Sequence, residues 1–135
     1  MKLTVEQYER LCSEYNSEQR EAFIALVCRE WRGAEHRLMA GFPTLDDKTL
    51  TAWVAACYDE CFSEEILERP IVFNYCFQVL RAVNLGAQYE FVQGLRNYFI
   101  SEYISRRRAL EWIAFVVGGA HDHLAAQRHE GLSHE

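Results

Sequence analysis

Apolar side chains recur every three or four residues over most of this chain, the spacing of one face of an α-helix. Thr4 followed by Gln7 forms a capping-box pattern, so a short helix is predicted from Val5 to about Glu14, burying Tyr8, Leu11 and Cys12. Asn16-Ser17 reads as a break and a new N-cap. A second helix then carries Phe23, Ile24, Leu26, Val27, Trp31, Ala34 and Leu38 and stops at Gly41-Phe42-Pro43. The third pattern is the cleanest. After a cap at Thr44 or Asp46, residues Leu50, Trp53, Val54, Cys57, Tyr58, Cys61 and Phe62 fall on one face. Ser63 then precedes Glu64-Glu65-Ile66, which predicts a short helical turn.

Pro70 suits the first turn of a fourth helix. Its apolar residues from Ile71 to Val83 cover nearly every side of the cylinder, which predicts a central position. A buried strand is the rival for Ile71–Phe77, but the pattern outruns a typical strand. Gly86 fits a left-handed helix stop. A fifth helix is predicted from about Ala87 to Ile104. A sixth segment contains Leu110, Trp112, Ile113, Phe115, Val116 and Val117, then Gly118-Gly119, and continues to about Gln127. The pattern leaves open whether these last two are one bent element. The tail after about residue 128 is expected to fray. The expected fold is all-α: one compact single-domain bundle of about five to six helices spanning residues 1–135.

Composition narrows the function. The chain has 135 residues, half of them hydrophobic, enough to form a core without disulfides or metal. The N-terminal decapeptide is polar, with no apolar signal-peptide region, and no apolar run is long enough to span a bilayer. Five cysteines, an odd number without a CxxC, suit a reducing compartment. A cytoplasmic address with no membrane contact is expected. Residues 1–70 hold eight Lys/Arg and fourteen Asp/Glu, while the remainder holds six of each, so the whole net charge of -6 lies in the first half. That balance disfavours nucleic acid and favours a basic protein partner.

Four clusters carry candidate chemistry. Asp59, Glu60, Glu64, Glu65 and Glu68 form the densest acidic stretch; as a docking patch they would steer a basic partner, and the plainer reading is a solvated helix end. Arg106-Arg107-Arg108 has the guanidinium forks that bind anions, but successive helical residues fan by about 100° each, so the three do not share one ligand on a helix. Cys57 and Cys61 lie one turn apart and could join His36 or another Cys in a metal site, but core packing explains them without that extra assumption. His121-Asp122-His123 resembles the central His-Asp pair of metal-dependent phosphohydrolases. That chemistry also needs an upstream His and a downstream Asp, and no Asp follows Asp122.

No phosphate loop, nucleophile elbow or dinucleotide fingerprint occurs. The expectation is therefore a small acidic protein-binding domain, of the immunity-protein or antitoxin kind, that masks a basic toxin without cofactor or metal. Two alternatives stand beside it: a helical metal protein or hydrolase using His121, Asp122 and His123 with His36 or His129, and a homodimeric adaptor or regulator with Trp112–Ala120 as its seam.

Overall fold

A computed structural model describes residues 2–133, with side chains described through Arg128. Five helices follow one another: α1 (Val5–Leu38), α2 (Asp47–Ser63), α3 (Arg69–Asn84), α4 (Tyr89–Phe99) and α5 (Arg106–Ser133). The expected all-α bundle is present, and no strand occurs among the described residues. The predicted fraying after residue 128 falls on positions whose side chains lie outside the described set.

The predicted capping box opens α1: the Thr4 hydroxyl accepts from Gln7 N at 3.1 Å and Gln7 Oε1 accepts from Thr4 N at 3.0 Å. The predicted break at Asn16-Ser17 does not occur. One helix of 34 residues runs straight through, about 50 Å long at 1.5 Å per residue. Asn and Ser inside a helix each cost well under about 1 kcal/mol relative to Ala. Interrupting the helix would forfeit backbone hydrogen bonds that nothing nearby replaces. The expected burial of Tyr8 and Leu11 is also overturned. Among the described residues α1 touches only α2 and α3, and its buried residues begin at Phe23.

Asp46, not Thr44, caps α2, with its carboxylate accepting from Thr49 N at 2.7 Å; that bond holds the Asp46 carboxyl below the usual range. Leu50, Val54, Cys57 and Cys61 form the buried centre of the predicted α2 stripe. Trp53 and Tyr58 lie at its edges, and Phe62 reaches solvent. α3 is central, as its all-round apolar pattern predicts: it alone packs against all four other helices. Within this core Tyr75 stacks on Phe99, ring centroids 4.1 Å apart, and Trp31 meets the edge of Phe77 at 5.4 Å. The Cys57 thiol is pushed well up by its bond to the Cys76 thiol and by burial, and burial pushes Cys61 up to about 12. These are packed, neutral thiols.

The helix expected to reach Ile104 stops at Phe99, and a separate α5 begins at Arg106. Two groups explain the break. Ser105 caps α5, its Oγ accepting from Arg108 N at 3.2 Å. The Arg106 guanidinium donates to the carbonyl oxygens of Phe99, Ser101 and Ile104, so the carbonyls left over at the end of α4 find donors. Beyond that, α5 is continuous through Gly118-Gly119.

A buried carboxylate fixes the link between α1 and α2. Glu35, 5% exposed, accepts from Trp31 Nε1 at 2.8 Å, from Arg32 Nη1 at 2.8 Å and from the Leu45 backbone N–H at 3.3 Å. Arg32 reaches on to Asp47 at 2.8 Å.

Candidate functional site: an uncovered stripe and groove along α1 and α2

Four turns of α1 stand clear of the bundle. Tyr8, Leu11 and Tyr15 are spaced by three and four residues and so share one face. Tyr8 is 61% exposed and Tyr15 62%. The face continues through Gln19 to Phe23, where α1 meets α2.

At that junction lies a groove of about 350 Å³, lined by Tyr15, Phe23, Tyr58, Phe62, Leu67 and Val72 among others. Its aromatic floor is continuous: Phe23 lies 5.5 Å from Tyr58, and Tyr58 stacks on Phe62 at 6.2 Å. Polar ties fix the walls. Arg20 grips Asp59 through two bonds, of 2.8 and 3.0 Å, and Arg69 donates to Gln19 at 2.6 Å. Leu67, 62% exposed, closes one end.

The chain reaches Leu67 through a tight stop. Ile66 N donates to Cys61 O at 2.8 Å and Glu65 N to Phe62 O at 3.1 Å, the paired bonds of a Schellman motif. Its left-handed residue is Glu65, with φ 58°. α3 ends on the same motif, with Ala87 N bonded to Ala82 O at 3.1 Å, and there the left-handed residue is the predicted Gly86, φ 86°. A β-carbon in this conformation costs about 1–2 kcal/mol. Glu65 bears that strain at the lip of a second groove of about 600 Å³, which shares Ile66 and Leu67 with the first and adds Glu64, Glu68 and Ile71.

The five acidic candidates therefore divide. Asp59 is spent on Arg20. Glu60 joins three helices, bound by Arg96 Nε at 2.7 Å and by the Tyr75 hydroxyl at 3.4 Å. Glu64, Glu65 and Glu68 are exposed beside the grooves. The three arginines divide as well. Arg106 is turned into the end of α4, whereas Arg107 and Arg108 are exposed. His121 packs edge-on against Phe42 at 5.1 Å, while His123 is exposed and bonded to Gln127 at 3.1 Å. Among the described residues no three His, Cys, Asp or Glu side chains gather as metal ligands, and no helix is long and apolar enough to cross a membrane. The His129 side chain lies outside the described set.

The chain matches no family model, no curated protein and no solved structure. The functional reading accordingly rests on this surface. Its defining residues, Tyr15, Phe62 and Leu67, do not stand out in the sequence. Their spacing marks them as apolar helix or loop positions, and only the packing shows that nothing covers them.

Proposed function

We propose that the protein is an acidic protein-binding domain that masks a basic partner, in the manner of an immunity protein or antitoxin, and that it works in the cytoplasm. One observation carries the reading. An uncovered line of Tyr8, Leu11 and Tyr15 leads into an aromatic groove, and the adjoining groove, which shares Ile66 and Leu67 with it, holds the exposed carboxylates Glu64, Glu65 and Glu68. Exposed apolar patches with polar rims mark protein-binding surfaces. Tyrosines supply contact area at low entropy cost, and rim carboxylates raise the encounter rate with a basic surface. Five free cysteines support a reducing compartment.

Photo-crosslinking in the native host tests this. A crosslinker at Tyr15 or Phe62 is expected to give one discrete adduct with a basic protein, and a crosslinker at exposed Asn97 on α4 none. With that partner purified, reversing Glu64, Glu65 and Glu68 to Lys should slow association about tenfold or more at low salt, and much less at high salt. Equal labelling from Asn97, or an association rate indifferent to the three reversals, overturns the proposal.

A further inference from the structure

α5 turns Ala109, Leu110, Ile113 and Val117 into the core. Its opposite face presents Arg108, Glu111, Phe115, Gly119 and Asp122, all exposed, with Trp112 and Gly118 at the margins. Phe115 is 79% exposed, although it is among the most costly side chains to leave in water. Trp112 is held beside it by stacking on Tyr98 at 4.1 Å.

The two glycines are unexplained by the chain itself. A β-carbon added at Gly118 or Gly119 would meet nothing within 4 Å. Neither has the positive φ that demands glycine, and each lowers helix stability relative to alanine. On the exposed face they leave the α5 backbone bare, where another backbone can approach closely.

We propose that this face pairs with α5 of a second copy, antiparallel, about a two-fold axis passing Phe115. In such a pair the residues before Phe115 lie level with those after it on the other copy, each against residues of its own flank. Three to four steps away, bulky Trp112 lies beside Gly119 on one flank and Glu111 beside Gly118 on the other. Seven steps away, near the centre line, Arg108 meets Asp122, about 10 Å from the axis along each helix. Large faces small at the nearer level, and positive faces negative at the farther one. A parallel pairing would oppose Phe115 to Phe115 but also Arg108 to Arg108 and Asp122 to Asp122, so charge selects the antiparallel arrangement. The seam lies across α5 from the core and leaves the α1 stripe free. A seam confined to one helix face is expected to be weak, with dissociation in the micromolar range.

Sedimentation equilibrium over a concentration series reaching about 100 µM tests the pairing, because a micromolar dimer is fully formed there. The native chain should pass from monomer to dimer. Phe115→Glu should stay monomeric while keeping the native circular dichroism spectrum. Arg108→Glu should weaken the dimer about tenfold, and the swapped variant Arg108→Glu/Asp122→Arg should regain native affinity. Gly119→Leu should raise the thermal midpoint of the monomer while weakening the dimer, opposite signs that general misfolding cannot produce. A chain monomeric throughout, a dimer that Phe115→Glu spares, or a swap that fails to restore association would each overturn the proposal.

Discussion

Between Tyr8 and Tyr15, and again between Phe23 and Trp31, α1 carries apolar side chains at helical spacing. The later set is buried against α2 and α3, with Val27 and Trp31 fully enclosed. The earlier set is left mostly exposed, with Tyr15 bordering the groove at its end. The helix is nevertheless unbroken across both, because extending a formed helix adds one backbone bond per residue fixed. One half of α1 is therefore an anchor, and the other is a rigid arm that inherits its direction from the anchor. Apolar spacing specifies that a helix forms and which face is greasy. It does not specify what, if anything, lies against that face.

If anchor and arm differ as described, substitutions of similar size should have unequal effects. Trp31→Ala empties a fully buried site and is expected to cost about 3–5 kcal/mol. Tyr15→Ala on the arm should stay within about 0.5 kcal/mol. Urea unfolding of both variants gives the comparison directly; equal losses would mean that the arm is buried in solution. Next in size is Glu35→Ala. It leaves Trp31 Nε1, one arm of Arg32 and Leu45 N–H without their shared acceptor, and should cost about 2–3 kcal/mol. A loss below about 0.5 kcal/mol would show that the Glu35 cluster does not hold the end of the anchor.

The sequence displays much of this architecture and hides its working surface for identifiable reasons. The Thr4–Gln7 capping box, the α2 stripe, Pro70 at the start of α3 and Gly86 at its end are local devices, and each acts where its residues stand. Asn16-Ser17 misleads because capping residues are tolerated within a helix that has no competing stop. The α4–α5 break is hard to read because it depends on Arg106 folding back to Phe99, seven residues away. The acidic stretch shows its charge but not its division. Asp59 and Glu60 are taken up by Arg20 and Arg96, which are remote in sequence, and only the remaining three carboxylates border the grooves.

The groove adjoining the one where anchor meets arm offers a smaller test. Glu65 holds the left-handed position that Gly86 holds at the end of α3. Glu65→Gly relieves the β-carbon and should stabilise the chain by about 1 kcal/mol, net of the greater freedom glycine has when unfolded. Thermal unfolding checks the sign. If partner binding falls while stability rises, the strain at Glu65 serves the surface rather than the fold. A destabilised variant would show that the carboxylate makes a compensating contact.

The smallest expected effect on stability discriminates most sharply between anchor and arm. Tyr8→Gln, Leu11→Gln and Tyr15→Gln together remove the greasy face of the arm while keeping a residue type as favourable to helix as those it replaces. No core contact is lost, since none of the three belongs to the buried cluster. The unfolding free energy should therefore stay within about 0.5 kcal/mol of the native chain, with helical content unchanged. Crosslinking from Phe62 to the partner should nonetheless disappear, because the groove would then lack the stripe that leads into it. Loss of stability with retained crosslinking would reverse the assignment, making the arm a structural element and moving the binding surface elsewhere.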